Sequence, residues 1–183
     1  MKKSKLQDVI YCSIFVTLMI VTAFIKIPFP LVPLTMQFAV SNLAGILLGK
    51  KNGAVCVAVY ILLGLIGLPV FANGGGVAYV LMPTFGYILG MAAGTWAAGT
   101  VVEIKKDYGY KTTMVAGAVN LICVYAIGFA YLLIINGAYL GVEINLKQLF
   151  VMAVLVSLPG DIIKCIVSSL LAKRVGWLFR SDQ

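Results

Sequence analysis

"NGAVCVAVYILLGLIGLPVFANGGGVAYVLMPTFGYILGMAAGTWAAGTVV", Asn52 to Val102, contains no Asp, Glu, Lys or Arg. An α-helix rises about 1.5 Å per residue, so about 20 apolar residues cross the hydrocarbon of a bilayer. The stretch can therefore cross twice, with Asn73-Gly74-Gly75-Gly76 at the turn. The rest of the chain has the same character. Of its 183 residues 62% are hydrophobic and 11% charged, and the mean hydropathy is +1.05; a soluble domain carries about a quarter charged residues. The chain reads as an all-α integral membrane protein. Its first apolar run is full length and others follow, so that run reads as a span, without the cleavage pattern of a secretory signal.

Breaks at charges, Gly and Pro predict helices near Val9 to Ile25, Thr35 to Leu48, Ala54 to Leu68, Thr84 to Val102, Thr112 to Asn136 and Leu146 to Ala172. This is a six-helix bundle forming a single domain over residues 1–183, with the second and third spans short. Lys and Arg stay on the cytoplasmic side of a membrane. Lys2, Lys3, Lys5, Lys50, Lys51, Lys105, Lys106, Lys111, Lys173, Arg174 and Arg180 fall on one side, against only Lys26 and Lys147 on the other. Both termini are thus expected in the cytoplasm of a multi-pass cell-membrane protein. The net charge of +8 then reads as an orientation signal with attraction to anionic lipid, and not as a nucleic-acid footprint.

Several chemistries are excluded. Without histidine there is no H-E-x-x-H metal site and no imidazole to activate a nucleophile. Asp161 is the one acidic residue deep in a span, so a paired-carboxylate hydrolase lacks its second group. The glycine run is not followed by the Lys-Ser/Thr of a phosphate loop, so any nucleotide-driven work falls to another chain. Cys12, Cys56, Cys123 and Cys165 each lie in a different apolar run, as unpaired thiols do. No catalytic, cofactor or metal site is expected.

What remains is "LPGDIIK", Leu158 to Lys164. Asp161 and Lys164 are three residues apart and share a helix face, with Asp161 about 13 residues from either end of the span. A charge at mid-membrane costs roughly 2.5 to 3.5 kcal/mol on insertion scales. Pairing lowers that cost without removing it, and a buried pair seldom stabilises more than apolar packing does. Ligand binding accounts for the two charges better than a structural lock. Pro159 breaks a backbone hydrogen bond, which in lipid needs another partner. Either the helix kinks at Leu155 to Pro159 or it restarts there with Ser157 as cap.

The outward loops supply walls. "PFPLVPLTMQ", Pro28 to Gln37, is stiffened by three prolines and ends on the polar Gln37. "GLPVFANGGGVAY", Gly67 to Tyr79, sets the Asn73 amide beside Gly74 and Gly75, where backbone approaches a ligand closely. "PTFGYILG", Pro83 to Gly90, brings Phe85 and Tyr87 to the outer end of a helix. An apolar pocket with Gln37, Asn73, Asp161 and Lys164 as its few polar groups has the make-up of a small-molecule site. Its ligand is expected to carry both N–H and C=O groups.

These four motifs, in this order and over nearly the whole chain, closely resemble the BioY family, the biotin-binding S components of energy-coupling factor vitamin transporters. The resemblance implies capture of biotin from outside the cell, with a transmembrane coupling protein and two ATPases as partners that spend the ATP. It implies that Asp161, Lys164 and Asn73 meet the ureido group of biotin. It also implies a contact with the coupling protein through small residues spaced by four on the first helix, where Ser13 and Thr17 stand. The glycine run closes as Gly76-Val77, where many relatives are expected to have a further glycine. The competing reading is a channel or facilitator that works without ATP, which would need a continuous polar path.

Overall fold

The computed structural model describes residues 5–27, 33–139, 145–176 and 179. It is built almost wholly of helices, as expected. The order is α1 (Lys5–Phe24), a two-stranded antiparallel ribbon of β1 (Lys26–Ile27) and β2 (Leu34–Thr35), α2 (Gln37–Leu65), α3 (Phe85–Lys105), α4 (Tyr110–Ile134), α5 (Leu146–Phe150) and α6 (Leu158–Val175). Among the described residues, five helical stretches are long and apolar enough to cross a membrane: Lys5–Phe24, Gln37–Leu65, Phe85–Lys105, Tyr110–Gly137 and Leu146–Val175.

The helix α2 is not straight. Gly49 adopts φ 79° and ψ 176°, a conformation open to glycine and strained for other residues. The chain doubles back there. A Cβ on Gly53 would lie 2.9 Å from the Ala44 carbonyl oxygen and 3.0 Å from Gly45 Cα, and the Gln37 amide donates to the Tyr60 hydroxyl. In a straight helix, residues 37 and 60 would be about 35 Å apart. Residues 37–48 and 50–65 are therefore antiparallel arms. Glu103 of α3 closes the bend by accepting from Lys50 N at 3.0 Å and pairing with Lys50 Nζ at 3.0 Å.

On α6 the packing is the reverse of that of a soluble helix. The buried face of α6 is Cys165, Ser168, Ser169 and Ala172, whereas Ile162, Ile163, Val167, Leu170 and Leu171 are exposed. In lipid, apolar side chains gain little by hiding from their solvent, so close contact and interhelical hydrogen bonds hold the helices together. Gly86, Gly90 and Gly94 of α3 face Tyr131, Val124 and Asn120 of α4 in turn; a Cβ on Gly90 would stand 2.8 Å from Val124 Cα. Asn42 donates to Ser168 Oγ at 2.8 Å, Thr95 to the Ser41 carbonyl at 3.2 Å and Ser169 to the Thr113 carbonyl at 3.1 Å. All of these hydroxyls and amides are fully buried.

The helix around Pro159 is interrupted, and no side-chain cap restarts it. A π-helical turn, Val151–Leu155, widens the helix before the proline, and Val156 N reaches back to the Val151 carbonyl at 3.1 Å. Ser157 has helical torsions and makes no capping bond. The wide turn accommodates the ring that an ordinary turn would meet, and it delivers Asp161 to the first turn of α6.

Candidate functional site

Asp161 and Lys164 lie in a cavity bounded by α2, α3, α4, α6 and the segment before α2. Pro33, Leu34, Thr35, Gln37 and Phe38 form one wall, Tyr79, Thr84, Tyr87, Ile88 and Met91 another, and Ala72, Tyr125 and Ser157 complete it. The space enclosed is about 60 Å³, room for a few water molecules. Apolar and aromatic side chains predominate in the walls, interrupted by Thr35, Gln37, Thr84 and Ser157, and the floor is ionic.

Both charges of the floor have hydrogen-bond partners. The Asp161 carboxylate pairs through Oδ1 with Lys164 Nζ and accepts at Oδ2 from the Tyr125 hydroxyl at 2.6 Å. Lys164 Nζ also donates to the Thr35 carbonyl oxygen at 2.8 Å. The Asp161 and Lys164 side chains keep 13% and 11% of their exposure, so desolvation is deep and each charge depends on its partners. Tyr87 hydrogen-bonds the Ala153 carbonyl at 3.2 Å, which fixes its ring against the π-helical turn, and it meets Tyr125 edge-on with centroids 6.1 Å apart.

Of the residues singled out from sequence, Asp161, Lys164, Gln37 and Tyr87 come together around this cavity. Gln37 is buried, accepting from Thr35 Oγ1 at 3.2 Å and donating to Tyr60, so it braces the wall. Phe85 is buried beside the cavity in a ring cluster with Phe71, Tyr79 and Tyr131 and does not line it. Gly74 and Gly75 lie in the loop above. There Phe71 and Gly74 exchange backbone hydrogen bonds of 2.9 and 3.1 Å, and Gly76 N donates to the Gly64 carbonyl at 2.7 Å, which pins the loop to α2.

Asn73, at the tip of that loop, is exposed and outside the cavity lining. Lys26 of β1 holds it: Lys26 Nζ donates to Asn73 Oδ1 at 3.1 Å and to the carbonyl oxygen of Ala72. Lys26 is paired with Thr35 in the β1–β2 ladder. A run of polar contacts thus connects Tyr125, Asp161, Lys164, Thr35, Lys26 and Asn73. Ser13 and Thr17 lie far from it, exposed on α1 along a groove shared with Asp8, Val16, Asn52, Val55, Val59 and Leu63.

Tyr125, Thr35, Tyr79, Thr84 and Ser157 are the polar lining residues that sequence reasoning did not assign to the site. Tyr125 sits in a long apolar run where an aromatic is ordinary, and Thr35 contributes a backbone oxygen that every residue type has.

The family model described as "BioY family" matches residues 1–181. The chain belongs to the BioY family. Its resemblance in the four motifs is borne out over nearly the full length. A probable biotin transporter of the family from Lysinibacillus sphaericus is 39% identical over 181 residues, covering 99% of this chain and 92% of that protein. A biotin transporter from Thermotoga maritima is 40% identical over 124 residues, covering 67% of this chain and 72% of its own length. Among solved structures, the crystal structure of the S-component for biotin from an ECF-type ABC transporter superposes with a TM-score of 0.81, at 26% identity and over 96% of both chains. Membership of this family together with the apolar helices makes the chain a multi-pass protein of the cell membrane.

Proposed function

We propose that the chain captures biotin at the outer side of the cell membrane and mediates its uptake as the S component of an ECF-type ABC transporter. Its work is binding and delivery, without catalysis. The observation that carries this reading is the hydrogen-bonded floor of Tyr125, Asp161, Lys164 and Thr35 beneath an apolar, aromatic-walled cavity in a member of the BioY family.

The ureido group of biotin has two N–H donors and one carbonyl acceptor. Each carboxylate oxygen carries two lone pairs, so Asp161 accepts from the ureido N–H groups while keeping Lys164 and Tyr125. The ligand carbonyl takes the place of the Thr35 oxygen on Lys164 Nζ. That exchange swaps one neutral acceptor for another and releases the 33–35 wall, which a cavity of about 60 Å³ requires before a vitamin enters. The rings of Tyr79 and Tyr87 flank the apolar part of the ligand. Asn73 reaches the ligand from the loop tip, with Gly74 and Gly75 letting that backbone approach.

Six spans with both termini in the cytoplasm are part of this reading. The bend at Gly49 divides α2 into two arms, and its Lys50 and Lys51 are on the basic, inward side. ATP is spent by two ATPase partners through a transmembrane coupling protein that docks on α1 at Ser13 and Thr17. Both hydroxyls are bonded within their own helix, Ser13 to the Val9 carbonyl and Thr17 to the Ser13 carbonyl, each at 2.9 Å. They therefore present small, largely apolar surfaces to a neighbour.

Titration calorimetry of the purified chain with biotin tests the capture role, alongside thiamine and riboflavin as controls. Binding of biotin alone, lost in Asp161→Asn, is the expected result; no heat with biotin defeats the reading. Counterflow of biotin in vesicles holding this chain alone would instead favour a facilitator.

A further inference from the structure

We propose that Lys26 receives the carboxylate of the ligand at the rim of the cavity and so sets the preference for an acid over its neutral derivatives. This rests on the capture of biotin argued above, whose molecule has a neutral ureido head and an anionic carboxylate joined by an apolar chain.

Charge balance points away from the floor. Asp161 and Lys164 form a pair that is neutral as a unit, which suits the ureido head. A carboxylate brought to Lys164 would face the carboxylate of Asp161, and two anions would share one cation in a desolvated site. The anionic end of the ligand therefore needs a cation elsewhere beside the cavity. Lys50 is bound to Glu103 at the bend of α2, and Lys147 on α5 lies outside the lining with no side-chain bond to any lining residue among the described residues.

Lys26 is not itself a lining residue, but it is the cation tied to two of them. Its ammonium is hydrogen-bonded to the carbonyl of Ala72, a lining residue, and its backbone pairs with Thr35, another. Two lining residues thus hold it next to the cavity. Among the described residues Lys26 pairs with no carboxylate; its acceptors are the neutral oxygens of Ala72 and Asn73. An ionised carboxylate is a stronger acceptor than either and displaces them in a charge-assisted bond. Lys26 is exposed, so the attraction is moderated by solvent and weakens with salt.

The experiment compares the affinity of the full chain for biotin and for biotinamide, its neutral primary amide, in wild type, Lys26→Gln and Lys26→Arg. In Lys26→Gln, biotin affinity is expected to fall about tenfold, with biotinamide changed by less than about twofold. Lys26→Arg keeps the preference for the acid. Equal losses for both ligands would mean that Lys26 only ties the loops together, and that result overturns the proposal, as does no loss for either. Wild-type protein that binds neither ligand removes the underlying reading, an outcome visible without any Lys26 variant.

Discussion

Tyr125 on α4 donates its hydroxyl to Asp161 on α6 at 2.6 Å, on the carboxylate oxygen opposite the one that Lys164 holds. The carboxylate is thereby fixed in orientation from both sides. Tyr125→Phe removes only the hydroxyl, and a hydrogen bond to a charged group contributes about 1.5 to 3 kcal/mol. The expected outcome is a folded protein whose biotin affinity is roughly tenfold to a hundredfold weaker. Titration calorimetry reads it, and unchanged affinity would remove Tyr125 from the site.

A second prediction separates the structural role of the floor from its ligand role. Removing one member of a desolvated pair leaves the other charge without its partner, at a cost of about 3 to 5 kcal/mol when burial is complete. The remaining exposure of Asp161 and Lys164 lowers that figure. Asp161→Asn and Lys164→Met should each lower the melting temperature, whereas the double variant recovers most of the loss. Biotin binding should be absent in all three. Recovery of binding together with stability would show the pair to be a packing device.

How much of this was legible in the sequence depends on what each group contributes. Asp161 and Lys164 stand out because charge is rare in an apolar run, and Gln37 because it opens a span. Tyr125 and Thr35 gave no such contrast. Asn73 was readable as a loop amide, but its attachment to Lys26 depends on β1 lying beside the loop tip, a long-range contact that no local pattern carries. The all-helical class followed from hydropathy alone. The bend at Gly49 is marked in the sequence only by a Gly-Lys-Lys break, whereas the four-residue spacing of Gly86, Gly90 and Gly94 is a packing signal that hydropathy and charge do not bring out.

That spacing supports a third prediction. At Gly90 a Cβ would stand 2.8 Å from both Cα and O of Val124, which are backbone atoms of a neighbouring helix and cannot step aside. Gly90→Ala should therefore push α3 from α4, costing about 1 to 3 kcal/mol as overpacking. Gly160, with open space around its Cβ position, is the control: Gly160→Ala should leave the melting temperature nearly unchanged. Equal melting temperatures for the two variants would contradict close α3–α4 packing.

The last prediction concerns α1. Ser13 and Thr17 spend their hydroxyls on carbonyls of their own helix and lie exposed beside the groove between α1 and α2, so their value to a docking partner is small size. Replacing both by alanine keeps the surface small and should leave uptake intact. Replacing both by leucine fills the approach of a second helix, as large residues do at small-xxx-small contacts. Because neither residue touches the Asp161–Lys164 floor, biotin binding by the isolated chain should be the same in wild type and both double variants. ATP-driven uptake in cells carrying the partner subunits should fail only with leucine. Uptake that survives the leucine pair would move the coupling contact off this face of α1, and a parallel loss of binding would mean that α1 supports the site and not the partner.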